Sequence, residues 1–193
     1  MSEGIRYPRE YARVIGEALI HDLQDLCSKI EISGSIRRNK DLVGDVEVVC
    51  LPTATPVEQP GLFDDKEKFD SELIKLRVSQ MEWCRPRLPT RMGDRFMALE
   101  NAPNVPEGYN RRTNIPIDLF VVLPPATWGV IQTIRTGPAE YSKSLMERAI
   151  AMEMRVKDGA LFYKKYMELI PTPDELDFYN ALELQWVEPK DRS

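Results

Sequence analysis

Two acidic side chains lie two residues apart in an apolar segment of this sequence. Residues 44–51 read GDVEVVCL, and Asp45 and Glu47 are the only charged residues among them. The β-branched content is typical of a buried strand, and alternation along a strand places both acids on one face. Paired carboxylates in such a setting repel each other and lose hydration, so a cation should compensate them. Because the run contains no Lys or Arg, the pattern favours a divalent metal ion.

A third acid occupies a second apolar run. Residues 115–123 read IPIDLFVVL, in which Asp118 is the only charge. If this run is a strand beside the first one, Asp118 lies next to Asp45 and Glu47. Three carboxylates form an oxygen-rich site suited to Mg²⁺ or Mn²⁺. Taken alone, however, an acid such as Asp118 is more commonly a surface residue at a strand end or a turn cap.

Potential phosphate-binding groups precede the acidic strand by about ten residues. Gly34 and Ser35 form a turn signal in which backbone N–H groups and a hydroxyl can approach an anion, and Arg37 and Arg38 follow directly. Phosphate donors next to paired carboxylates suit nucleotidyl transfer, in which metal ions neutralise a triphosphate and fixed donors hold the departing pyrophosphate.

Composition excludes several other classes of protein. The 193 residues carry a net charge of −5 and fit one domain with at most a small appendage. A single histidine, His21, rules out a two-histidine metal site, and the three cysteines lack zinc-site spacing. Neither a signal peptide nor a membrane span is apparent, so we expect a cytoplasmic, monomeric protein without membrane association. The net acidity argues mildly against tight, sequence-independent DNA binding.

Periodicity and turn signals predict the main elements. The apolar runs at 44–51 and 115–123 are predicted strands, and an Asp-Gly hairpin is predicted at 157–160. Four segments are predicted helices: residues 8–30, 66–79 (with Phe69, Leu73 and Leu76 on its apolar side), 138–153, and a last one opened by a capping box at 172–175 and ending at Leu182. Residues 53–65 are predicted to be a loop.

The motifs resemble those of the nucleotidyltransferase superfamily, and within it the family X DNA polymerases typified by DNA polymerase beta. The resemblance is carried by Gly34-Ser35-Ile36-Arg37-Arg38, by Gly44-Asp45-Val46-Glu47 and by Asp118. Residues 6–10, 128–139 and 186–192 also resemble family segments, whereas residues 53–112 match only in the order of elements. Glu47 departs from the family pattern, which has the shorter Asp at this position.

The resemblance implies a fold and a division of the chain. It implies an α/β (α+β) fold: a palm with a mixed β-sheet and flanking helices over residues 1–124, and a smaller α+β subdomain over residues 125–193. No segment is expected to form the family's lyase domain.

The resemblance also implies roles for individual residues. Two Mg²⁺ or Mn²⁺ ions would be held by the catalytic acids Asp45, Glu47 and Asp118. A dNTP would be bound by Gly34, Ser35, Arg38, Arg6, Gly44, Thr136, Gly137 and Ser142. Primer-template or gapped DNA would contact Lys143 and Arg95. Arg95 lies in the arginine-rich stretch from Arg85 to Arg112, which is interpreted either as a surface for the DNA backbone or as a solvated loop.

Three functions are compatible with these features. The first is a DNA polymerase beta-like enzyme that transfers dNMP to a primer 3′-hydroxyl and fills short gaps. A second keeps the chemistry but acts without a template on an RNA, protein or small-molecule acceptor. The third is a binding module with a relic site, which retention of all three acids disfavours.

Overall fold

The fold is organised around a five-stranded mixed β-sheet. The computed structural model describes residues 5–56, 67–87, 91–101 and 114–193. The strands of the sheet are β2 (Cys27–Ile32), β4 (Val46–Pro52), β7 (Cys84–Pro86), β8 (Phe96–Asn101) and β9 (Pro116–Val121). They lie side by side in the order β2-β4-β9-β8-β7, in which only the central pair, β4 and β9, is parallel. The two predicted strands are therefore adjacent at the centre of the sheet.

The two faces of the central strands pack against different parts of the chain. One face, with Val46 and Val48 of β4 and Leu119 of β9, belongs to the largest core cluster, which helix α1 (Arg9–Leu23) covers. The opposite face carries Val49 and Phe120, which pack on Trp128 of α4 (Trp128–Thr136). Since side chains alternate along a strand, this second face is also the face of Glu47 and Asp118.

The predicted helix over 8–30 is too long. Helix α1 ends at Leu23, a 3₁₀ turn spans Gln24–Leu26, and β2 follows from Cys27. The apolar residues near position 30 fit a helical period, but β2 pairs with β4 and contributes Ile30 and Ile32 to the sheet. Tertiary pairing therefore overrides the local pattern.

Short elements frame the central sheet. Two small strand pairs join β1 (Tyr7–Pro8) to β3 (Leu42–Val43) and β5 (Thr55–Pro56) to β6 (Glu67–Lys68). The predicted helix over 66–79 begins later, as α3 (Glu72–Gln80). Its buried side carries Ile74 and Val78, whereas Leu73 and Leu76 are exposed, so the predicted apolar side is wrong. Most of the predicted loop at 53–65 lies outside the described residues.

The carboxyl-terminal part forms a second, smaller core. It contains α4, α5 (Ala139–Ala151), a three-stranded sheet and α6 (Glu175–Ala181), followed by a 3₁₀ turn at Pro189–Asp191. The three strands are β10 (Met154–Lys157), β11 (Ala160–Tyr163) and β12 (Leu169–Ile170), and the predicted hairpin joins the first two. The core includes Leu145, Leu161 and Phe178. Helix α6 begins at Glu175 rather than at Pro173, because Asp174 is its N-cap and donates its backbone N–H to Asp177 (3.0 Å).

Helices α4 and α6 approach closely at Gly129. A Cβ atom built at Gly129 would overlap the backbone carbonyl of Asp174, and the Gly129 N–H donates to Thr172 O (3.1 Å). Only glycine fits at this contact.

The predicted fold class is confirmed: a mixed sheet with flanking helices is followed by a small α+β part. The predicted boundary at 124/125 falls in the connection between β9 and α4 and remains a prediction. Among the described helices, none combines the length and apolarity needed to cross a bilayer.

Candidate functional site

Three carboxylates lie at one edge of the second sheet face. In the parallel pairing of β4 and β9, Glu47 is directly opposite Asp118. Neighbouring strands are about 4.8 Å apart, so these two acids are side by side. Asp45 precedes β4 and shares the face of Glu47. All three are partly buried rather than turned into the hydrophobic core.

Burial is the main influence on the ionisation of the three acids. Burial raises the pKa of Asp45, and the charge of Asp118 raises it further despite nearby arginines. Burial and then the charge of Asp45 raise the pKa of Glu47 to about 7. Burial also raises the pKa of Asp118, against the opposing charge of Arg87. Each carboxyl group therefore holds its proton more tightly than it would in water.

The donor set suits a divalent cation, but the side chains are not gathered around one point. Asp118 Oδ1 accepts a hydrogen bond from Arg87 Nη2 (3.1 Å), and the Glu47 carboxylate lies over Gly34. Within the described ranges, no three Asp, Glu, His or Cys side chains converge as a ready-made metal-binding group. Carboxylate oxygens of this kind fit Mg²⁺ or Mn²⁺ chemically.

The turn before the acidic strand is held against Glu47. Residues Gly34–Arg37 form one helical turn, α2, rather than an irregular segment. Gly34 has φ +62°, and a Cβ atom there would overlap Glu47 Oε2. The Ser33 N–H donates to the Glu47 carbonyl (2.8 Å), which fixes the turn to β4. This close approach brings the partly buried Ser35 and the following arginines to the edge of the acidic face.

Two predicted phosphate-binding arginines lie near the acids. The charges of Arg6 and Arg38 both lower the pKa of Asp45, so both guanidinium groups are close to it. Arg6 is exposed, and its Nη1 would lie 3.4 Å from a Cβ atom built at Gly44. Arg38 donates through Nη1 to the Thr136 carbonyl, whereas its buried Nε has no partner. Burial lowers the pKa of Arg38.

A cavity of about 450 Å³ opens beside Glu47. Arg38 and Glu47 line one side, and Gly137 and Ser142 line the other. Gly137 has φ +64° and approaches Arg38 Nη1, and Ser142 Oγ donates to the Ile134 carbonyl (3.0 Å). The cavity therefore combines one acid, Glu47, with two arginines, Arg38 and Arg135, and with the start of α5.

A buried ionic network joins the two parts of the chain behind this cavity. Glu175 accepts from Arg37 Nη2 (2.6 Å) and from both terminal nitrogens of Arg192 (3.2 Å each). Thr133 Oγ1 also donates to Glu175 (3.1 Å), and Arg37 Nη1 donates to Thr136 Oγ1 (2.7 Å). Burial alone would raise the pKa of Glu175, but the two arginines outweigh it and hold the pKa below its ordinary value.

The carboxyl-terminal part has a recognisable counterpart among known proteins. Residues 133–193 match the family model of the DNA polymerase beta thumb. The match covers about a third of the chain and supports a family X relationship through this part alone. A search of curated proteins found no match. Residues 133–193 are called the thumb below.

The thumb contains three of the predicted nucleotide-binding residues. Gly137 and Ser142 line the cavity, but the Thr136 side chain is fully buried and bonds Arg37 at the junction. Lys143 is exposed on α5 near Glu147. Outside the thumb, Arg95 donates to the carbonyls of Leu123 and Pro124, so its guanidinium fastens the end of β9.

Three important residues were missed by sequence reasoning. Arg87 pairs with Asp118, whereas the sequence indicated only a general basic stretch. Glu175 and Arg192 form the buried network with Arg37. No local signal marks Glu175, because an acid in the first turn of a helix is commonplace. Arg111 and Arg112, at the end of the predicted arginine-rich stretch, lie outside the described residues.

Proposed function

We propose that this chain is a DNA-directed nucleotidyltransferase of the DNA polymerase beta type. It transfers dNMP from a dNTP to a primer 3′-hydroxyl, with release of pyrophosphate, at short gaps in DNA. The observation that carries the proposal is the parallel register of β4 and β9, which sets Glu47 opposite Asp118 beside the Gly34–Arg38 turn. The match of residues 133–193 to a polymerase thumb supports the same assignment.

The acids would hold the metal ions. Asp45, Glu47 and Asp118 are the proposed ligands of two Mg²⁺ or Mn²⁺ ions, which when bound neutralise the triphosphate and lower the pKa of the attacking hydroxyl. Burial and mutual repulsion disfavour the ionised forms of Asp45 and Glu47, and a bound divalent cation would stabilise those forms.

The remaining residues bind and orient the nucleotide. Arg38 and Arg6 face the β and γ phosphates, and the Gly34–Ser35 backbone approaches them closely because residue 34 has no side chain. Arg38 Nε is buried and unpartnered, so it is a donor ready for an anionic oxygen. Gly137 and Ser142 form the opposite wall, where the sugar and base would lie. Lys143, exposed on α5, would contact the template strand, and Arg95 is left with a smaller role in DNA binding because backbone carbonyls engage it.

Extension of a one-nucleotide gap tests this proposal. The chain is incubated with Mg²⁺, a 5′-labelled primer annealed across a single-nucleotide gap, and each dNTP in turn. We expect one added nucleotide, with the complementary dNTP strongly preferred. Addition that ignores the template base would instead favour the template-independent alternative on another acceptor. No addition on DNA, RNA or small hydroxyl acceptors, with intact dNTP binding, would contradict transfer altogether.

A further inference from the structure

A turn at the outer end of the thumb presents aromatic and cationic side chains together. Residues 163–166, Tyr-Lys-Lys-Tyr, lead from β11 towards β12, and Tyr163 and Tyr166 are 49% and 72% exposed. The Lys165 Nζ atom lies 5.0 Å from the centre of the Tyr166 ring. The Met167 N–H donates to the Tyr163 carbonyl (2.9 Å), so the turn is closed by a backbone hydrogen bond.

The neighbouring sheet face continues this surface. Arg155, Phe162 and Leu169 are cross-strand partners across β10, β11 and β12 and therefore share one face. The opposite face carries Met154 and Leu161, which are buried in the thumb core. Arg155 and Leu169 are exposed, so no other described part of the chain covers them. Tyr163 is the partner of Met154 and so belongs to that opposite face. The Tyr–Lys surface is defined as Arg155, Phe162, Lys164–Tyr166 and Leu169.

The cations of the Tyr–Lys surface are available for a ligand. Within the part of the chain that the structure describes, neither Arg155, Lys164 nor Lys165 forms an ion pair. The nearest acids along the chain, Glu153 and Glu168, contribute backbone carbonyls to the turn, accepting from the N–H groups of residues 164 and 163. Among the ion pairs of the described residues, neither of these two carboxylates is paired with one of the three cations.

This combination matches the chemistry of single-stranded nucleic acid. Exposed aromatic rings stack on unpaired bases, and cations next to them follow the phosphates. A duplex hides its base faces, so exposed rings gain little from it. An apolar protein partner would leave the three cations without a counter-charge.

We propose that the Tyr–Lys surface binds single-stranded nucleic acid, with Tyr166 stacked on a base and Arg155, Lys164 and Lys165 beside the phosphates. The surface is distinct from the cavity beside Glu47. The Tyr–Lys surface lies at one end of strands β10 and β11, and the Asp158–Gly159 turn lies at the other end. The Gly159 carbonyl accepts a hydrogen bond from the Thr127 N–H at the start of α4 (2.9 Å). Four residues of strand span about 13 Å. If the proposed polymerase activity holds, the occupant is the unpaired stretch of the template strand.

Fluorescence anisotropy with a labelled dodecamer of thymidylate, without metal or dNTP, tests the surface directly. Three phosphate contacts predict a log–log salt slope of about −2 for a single strand, so a fourfold rise in NaCl weakens wild-type binding about 20-fold. Tyr166→Ala should weaken binding about tenfold through loss of stacking, and Tyr166→Phe should bind like the wild type. Lys164→Gln with Lys165→Gln should bring the slope to about −0.7.

A matched variant distinguishes the Tyr–Lys surface from general electrostatic attraction to the thumb. Lys190→Gln changes an exposed lysine elsewhere in the thumb and should leave affinity and slope unchanged. Circular dichroism and urea midpoints establish that each variant is folded. Wild-type affinity in Tyr166→Ala, or an unaltered slope in the double lysine variant, overturns the proposal, as does preference for anionic lipid vesicles over the oligonucleotide. Because no dNTP is present, failure of gap filling leaves this result unaffected.

Discussion

Asp118 is an acid whose burial disfavours its ionised form in the folded protein. Its pKa is raised by burial, which means that the ionised form is less favourable in the folded protein than in water, even beside Arg87. A residue that destabilises its own fold is typical of a functional site, where charge is kept for a ligand.

Asp118→Asn should therefore abolish transfer while keeping or slightly raising stability. Loss of a proposed metal ligand is expected to reduce gap filling more than about 100-fold, since even groups that only support ligands give 10- to 100-fold effects. Removing a charge that burial disfavours should leave the urea midpoint at neutral pH unchanged or higher. Initial rates and urea melts provide the two measurements.

Asp191→Asn is the matched control, because it removes an exposed acid from the last 3₁₀ turn. It should leave both rate and midpoint within error of the wild type. Undiminished activity in Asp118→Asn would exclude this acid from the chemistry.

Gly34 is required by its backbone conformation and by its contact with Glu47. Gly34→Ala places a side chain at φ +62° and against Oε2 of Glu47, so it should cost more than about 1 kcal/mol in the free energy of unfolding. The variant should also lose most gap-filling activity. Urea denaturation and initial rates measure the two effects.

Gly44→Ala is the comparison for Gly34→Ala. The φ of Gly44 lies outside the left-handed region, and among the described residues a Cβ atom there would meet only Arg6 Nη1, at 3.4 Å. Its effect on the free energy of unfolding should stay within about 0.5 kcal/mol. Equal destabilisation by the two substitutions would contradict the special role of residue 34.

At the scale of elements, side-chain alternation and composition were sufficient to predict the central strands β4 and β9. They failed to predict β2, the strand that follows α1. The runs at 44–51 and 115–123 are apolar on both faces, so their patterns identify buried strands wherever they pair. Residues 27–32 have a pattern that suits either a helix or a strand, and only β4 decides between them. The acids of the site were found because a charge in an apolar run is conspicuous, whereas Arg87 and Glu175 depend on contacts between distant elements.

Helix α6 is fixed to α2 and to the last turn of the chain by Glu175. Glu175→Ala removes the counter-charge of Arg192, whose side chain is fully buried, and should destabilise the protein by about 3 kcal/mol. Chemical denaturation at pH 7 measures this loss. Glu188→Gln, at an exposed position near the same turn, should have little effect.

The contribution of Glu175 should also depend on pH. Its pKa in the folded protein lies below the ordinary value of 4.5, so the carboxylate stabilises the fold above pH 4.5 and this stabilisation is lost as pH falls through the lower, folded-state value. The difference in unfolding free energy between the wild type and Glu175→Gln should shrink below pH 4.5. A difference that grows on acidification would contradict the assignment.

At the scale of the whole molecule, the two cores are coupled through buried polar contacts. Arg37 belongs to the turn next to the acidic strand, while its partners Thr136 and Glu175 belong to the thumb. We expect thermal unfolding of the wild type as a single transition, because breaking either core exposes the ionic network.

Arg37→Met should uncouple the two cores. The substitution keeps a long apolar stem but removes both donors to the thumb, so Glu175 retains only Arg192 as an ionic partner. Scanning calorimetry should show a broadened or split transition, with the calorimetric enthalpy exceeding the van't Hoff enthalpy. Arg13→Met, an exposed change on α1, should keep a single transition. One sharp transition in both variants would mean that other contacts couple the cores.

The close packing at Gly129 has a consequence for how α4 and α6 move. Because the α4 backbone packs directly against the segment leading into α6, we expect the two helices to move together. Ile134 and Arg135, near the carboxyl-terminal end of α4, line the cavity beside Glu47, as does Gly137 directly after the helix. We therefore expect a bulkier residue at position 129 to push α4 away from α6 and to change the width of the space beside Glu47, although residue 129 is far from any reacting atom.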